Sequence, residues 1–80
     1  MSTTKDDIRR WLERCQSEGC SHMVVMCDTF DWSDYPVGAH DEAEAREIAA
    51  KPGEMQKVME VYKLSLDWDE QLNQRRVFNF

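Results

Sequence analysis

Eighty residues with sixteen acids and ten bases leave a net charge of −6. A chain this short supports one core and no second domain, burying only about 60% of the surface its unfolded form exposes. The acidic excess disfavours direct nucleic-acid binding, and segments such as "HMVVMC" and "VMEVYKLSL" are too apolar to stay disordered.

In chain order, Thr3 and Thr4 precede "KDDIRRWLERCQSEG", with an acid three residues on in the manner of a capping box. Ile8, Trp11, Leu12 and Cys15 fall on one helical stripe, and Gly19 is placed to stop the helix, so the pattern predicts a helix over about Lys5 to Glu18. "HMVVMCD" is a short continuous apolar run, which predicts a central strand covered on both faces. "TFDWSD" carries the local side-chain acceptors of a turn. "YPVGA" reads as a short strand that Pro36 confines to a sheet edge. "DEAEAREIAAK" is rich in helix formers, with Ala45, Ile48 and Ala49 as its narrow apolar stripe and Pro52-Gly53 as its end.

"EMQKVMEVYKLSLDW" fits both periods. Its β-branched and aromatic content favours a strand from about Gln56 to Leu64. Ser65 or Asp67 then caps a short helix over "DWDEQLNQ", and the aromatics of "RRVFNF" are expected to pack back on the core. The predicted order is α-β-β-α-β-α, a single compact α+β domain with a small three-stranded, mainly antiparallel sheet and helices packed on it.

The charge is unevenly distributed. From Asp28 to Glu54 eight acids face two bases, so this segment carries the entire excess. Such a block repels phosphates and anionic membrane and attracts basic protein surfaces. No N-terminal stretch resembles a signal peptide, and nothing approaches the roughly 18 apolar residues of a membrane span, so a cytoplasmic protein is expected. Cys15, Cys20 and Cys27 are odd in number and lack a C-x-x-C pair, which argues for reduced thiols, at least two of them in the core.

Three kinds of site compete. Asp28, Asp31 and Asp34 lack the alternating oxygen ligands, central Gly and later Glu of a calcium loop, so a solvated turn is expected there and no metal. A Cys27 thiol paired with His22 or His40 is conceivable as a nucleophile, but Cys27 ends a core strand, where burial keeps a thiol inert. There is no Gly-rich phosphate loop and no H-E-x-x-H, so neither a cofactor nor enzymatic activity is expected. The third candidate is the acidic surface. Asp28, Asp31, Asp34, Asp41, Glu42, Glu44 and Glu47, with Trp32 and Tyr35 as apolar anchors, form one partner-binding face if loop and helix lie together. The plainer alternative is ordinary solubilising charge.

"HMVVMCDTFDWSDYPV" together with "MQKVMEVYKLSLDWDEQLNQRRVF" resembles a group of small phage, prophage and bacterial proteins. That group pairs an HM-apolar-CDTFD-x-x-DYPV segment with a later MEVY-x-LS segment. The likeness runs from about Asp6 to the C-terminus and carries no function or catalytic residues over to this chain. The chain departs from the group at Gly38-Ala39, where a longer strand with larger apolar residues is expected, and this leaves the length of the second strand open. In kind, size and charge the chain also resembles a type I-C anti-CRISPR protein. That resemblance implies an inhibitor that occupies a basic DNA-binding surface of a CRISPR surveillance complex as a DNA mimic. The expectation is therefore a monomeric, acidic, non-enzymatic inhibitor. Its rival is a phage or bacterial accessory domain that docks on a partner through Trp32, Tyr35 and Trp68, with the carboxylates only solubilising it.

Overall fold

The structure is a computed structural model that describes residues 3–74 and 76–80. Its elements are α1 (Lys5–Ser17), β1 (His22–Asp28), β2 (Ser33–Ala39), α2 (Glu42–Ala50), β3 (Gln56–Lys63) and α3 (Trp68–Leu72). The order α-β-β-α-β-α is the one expected. The sheet runs β2-β1-β3 with both pairings antiparallel. β2 and β3 therefore run parallel to one another, and α2 crosses over β1 to join them.

β1 is the central strand because every side chain from His22 to Cys27 is buried. Alternation divides these residues between two layers. Met23 and Val25 meet Ile8, Leu12 and Cys15 of α1, together with Tyr62, Leu72 and Val77. Val24 and Met26 meet Ala39, Ala45 and Val61 on the other face, where Ile48 and Ala49 of α2 close the layer. A bulge opposite Val25 and Met26 lets Met59 join the α1 layer while Val58 joins the α2 layer.

Local chemistry sets the boundaries. Thr4 caps α1 by accepting the Asp7 N–H, and Asp7 accepts the Thr4 N–H in return at 3.0 Å. These reciprocal bonds, the Thr4 backbone N–H first, hold the Asp7 carboxyl below its usual range. The helix ends at Ser17 with Glu18 as its cap, one residue earlier than the pattern predicts. β2 is longer than "YPVGA". It starts at Ser33 and keeps both Gly38 and Ala39, the latter fully buried. Large apolar residues are not needed at Gly38, because the Cys20 sulfur occupies the space a side chain would take.

β3 ends at Lys63, and α3 is five residues long, shorter than "DWDEQLNQ", with Asp67 as its cap. Gln71 fixes α3 to the strand end. Its buried amide accepts the Lys63 N–H and donates to the Lys63 carbonyl, both at 2.9 Å. The C-terminal segment lies parallel to β3, with Val61 N–H donating to the Val77 carbonyl at 2.7 Å and Asn79 N–H to the Val61 carbonyl at 3.0 Å. This covers an edge that would otherwise offer free backbone groups. The expected aromatic packing holds for Phe80, which joins the α2 layer under the Arg46 guanidinium, 4.7 Å from its ring centre. Phe78 is instead half exposed, and Val77 is the residue buried from this segment. Among the described residues no helix is long and apolar enough to cross a membrane.

Candidate functional site

The β1–β2 connection is a four-residue loop, residues 29–32, closed by the Trp32 N–H donating to the Asp28 carbonyl at 2.7 Å. Its carboxylates have local work. Asp28 accepts the Phe30 N–H at 2.8 Å. Asp31 accepts the Ser33 hydroxyl at 2.7 Å and the Ser33 N–H at 3.0 Å, which holds its carboxyl below the usual range and keeps it ionised. Asp34, on β2, accepts the Thr3 hydroxyl at 2.6 Å. The three acids thus stabilise a turn and tie the chain's start to it. Among the described residues no group of three or more His, Cys, Asp or Glu side chains converges as a metal site.

The backbone here is strained. Trp32 has φ 58°, in the left-handed region that Gly or Asn ordinarily fills. Met55 has the same φ. It is the third residue of the turn closed by the Gln56 N–H on the Gly53 carbonyl, where a positive φ calls for Gly. The two turns are neighbours, since the Thr29 N–H donates to the Met55 carbonyl at 2.8 Å. Phe30, Trp32 and Met55 are respectively 78%, 67% and 54% exposed, so three large apolar side chains project from one end of the sheet. Asp28, Asp31, Asp34 and Glu54 fringe this tip.

Beside the tip lies an open groove of about 520 Å³ between the first turns of α1 and the loop. Trp11 and Trp32 line it together with the carboxylates of Asp7, Asp31 and Asp34. Asp7 is already paired with Arg10 at 2.9 Å, whereas no cation among the described residues pairs with Asp31 or Asp34. Indole faces beside unpaired carboxylates suit a cationic side chain.

The remaining acids lie elsewhere. β2 carries the chain away from the tip, so α2 begins about 20 Å off, six residues at roughly 3.3 Å each. There Asp41 caps α2 by accepting the Glu44 N–H at 2.7 Å. Glu42 pairs with Arg46 at 3.1 Å, and Glu44 faces His40. Glu47 lies along the exposed side of the same helix. α2 covers the sheet face opposite the one that Asp34 shares with Cys27, its register partner. The nine candidate residues therefore do not form a single face. Asp28, Asp31, Trp32 and Asp34 come together, whereas Asp41, Glu42, Glu44 and Glu47 form a second group. Tyr35 is not an exposed anchor but packs half-buried against the α2 layer. Trp68 packs against the α1 layer and donates its indole N–H to the Leu64 carbonyl at 3.0 Å.

No Cys27–histidine dyad forms. His22 begins β1 and Cys27 lies next to its last residue, while His40 follows Ala39, which is paired with His22. Burial, and after it the Asp34 carboxylate, pushes the Cys27 thiol pKa up. Sequence reasoning missed Phe30, Met55 and Trp11. The only signal for Met55 was its place after Pro52-Gly53-Glu54, and Trp11 reads as a core position, which it keeps against the α1 layer while also lining the groove. Comparison with protein-family models, with curated proteins and with solved structures gives no match.

Proposed function

We propose that this chain is a non-enzymatic binding protein that docks on a basic protein surface through the tip formed by Phe30, Trp32 and Met55. The observation that carries this reading is the shared left-handed backbone of Trp32 and Met55. Each such residue costs on the order of 1–3 kcal/mol, and both display a large apolar side chain to solvent at the same place. A glycine at either position would relieve that strain at little net cost to folding, so the side chains serve something outside the fold. Exposed aromatics ringed by charge are the usual composition of an interface centre and its rim. The groove beside the tip would take a lysine or arginine of the partner between Trp11 and Trp32.

Site-specific photo-crosslinking tests this. With the crosslinker in place of Phe30, a basic partner is captured, and excess DNA that occupies the same basic surface reduces capture. With the crosslinker in place of Glu47, on α2, capture is absent. Equal capture from both positions would contradict the reading.

The narrower role as an inhibitor of a type I-C CRISPR surveillance complex rests on the resemblance in kind, size and charge. The division of the acids leaves only the tip group to stand in for phosphates, so docking by aromatic anchors within an acidic fringe is the preferred mechanism. The inhibitor role predicts that the purified complex loses target-DNA binding when this chain is added, and that Trp32→Gly restores it.

A further inference from the structure

The end of α1 brings two thiols together. Gly19, at φ 79°, lets the Cys20 N–H donate to the Cys15 carbonyl at 2.9 Å and its own N–H to the Gln16 carbonyl at 3.1 Å. These are the two closing bonds of a Schellman motif, whose third and last positions usually touch through apolar side chains. Here those positions are Cys15 and Cys20. By standard backbone dimensions, the first bond alone keeps their Cα atoms within about 6.8 Å, inside the range that a disulfide spans.

The sulfurs converge as well. A Cβ on Gly38 of β2 would lie 2.7 Å from the Cys20 sulfur and 3.5 Å from the Cys15 sulfur, so both thiols point into the space the glycine leaves open. Cys15 is buried and Cys20 is half-exposed, and both are reduced in this structure. Cys27 lies at the far end of β1, buried and out of reach.

We propose that Cys15 and Cys20 are a redox-modification site that closes reversibly into an intrachain disulfide when the chain meets a hydroperoxide. This inference is independent of the docking reading. The more accessible Cys20 reacts first. The Cys20 thiol gives up its proton, its thiolate attacks the peroxide, the O–O bond breaks, and the leaving hydroxide takes that proton, giving a sulfenic acid and one water. The Cys15 sulfur then gives up its proton and attacks the Cys20 sulfur. The S–S bond forms, the S–O bond breaks, and the oxygen leaves as a second water. Two thiols lose two electrons and two protons, and hydrogen peroxide accepts them. Burial, and after it the neighbouring Cys20, raises the Cys15 pKa to about 11, which keeps Cys15 a thiol and leaves the first step to Cys20.

The full chain is treated with one equivalent of hydrogen peroxide and then cleaved after Glu18, which leaves the two cysteines in separate peptides. The expected product has lost two hydrogens and holds those peptides together, and Cys27→Ser leaves it unchanged. Equilibration with glutathione buffers supplies a readout that needs no variant. The equilibrium constant for the disulfide should be at least tenfold higher in the folded chain than in the urea-unfolded chain. An equal or lower constant when folded, or a disulfide that involves Cys27 or a second chain, would overturn the proposal.

Discussion

The Met55 carbonyl accepts the Thr29 N–H at 2.8 Å, and with the neighbouring Asp28–Gln56 pairing this bond joins two loops distant in sequence into a single surface. It holds the turn before β3 beside the β1–β2 loop, so Met55 stands next to Phe30 and Trp32. Both turns keep a bulky residue where glycine is easier, and both show that residue to solvent. The docking reading follows from that coincidence.

Charge reversal separates the two acidic groups. Asp31→Lys with Asp34→Lys should slow association with the partner about tenfold or more and flatten its salt dependence, because steering charges act mainly on the on-rate. Glu44→Lys with Glu47→Lys, on α2, should leave the rate within twofold. Stopped-flow association at several salt concentrations checks both. Equal losses from the two pairs would restore a single acidic face.

Gln71 is the polar lock of the α3 end. Gln71→Leu removes the acceptor of the Lys63 and Asn79 amides and the donor to the Lys63 carbonyl. Leaving these groups without partners should cost about 2–4 kcal/mol in urea unfolding. That is a large share of the stability of an 80-residue domain.

Glu60 should oppose folding at neutral pH. Burial raises its carboxyl pKa, against the Tyr62 hydroxyl, which donates to it at 3.0 Å and lowers it. A raised folded pKa means that the native state binds the proton more tightly, so this group's contribution improves as pH falls through the folded value. Glu60→Gln keeps an acceptor for Tyr62 and removes the charge. The variant should be more stable than the parent at pH 7, and the advantage should vanish below the ordinary glutamate pKa. Denaturant unfolding at pH 7 and pH 3.5 measures this, and an advantage that persists at pH 3.5 would contradict the assignment.

Much of the fold was legible because local signals agreed with the global pattern. A Thr-x-x-Asp start at Thr3 or Thr4, Gly19 as a stop, the unbroken apolar run of β1 and Pro36 at an edge are all kept, with the structure choosing Thr4 and Asp7 for the cap. The ambiguous segment after Met55 resolved as a strand because Val58, Val61 and Tyr62 pair with a β1 buried on both faces. The site was less legible. Adjacency in sequence suggested that the loop and α2 share a face, but a seven-residue strand lies between them, so α2 starts at the far end and covers the opposite face of the sheet. The backbone conformation of Trp32 depends on the register of Asp28 with Ser33, which composition does not encode. Tyr35 looked like an anchor until the pleat directed it toward α2.

The most direct test replaces Trp32 with glycine and measures stability and binding on the same sample. Glycine relieves the left-handed strain but loosens the unfolded chain, so urea unfolding should show no loss beyond about 0.5 kcal/mol. Affinity for the partner captured through Phe30 should fall tenfold or more. A variant that unfolds readily yet binds its partner as tightly as the parent would show that Trp32 serves the fold and not the partner.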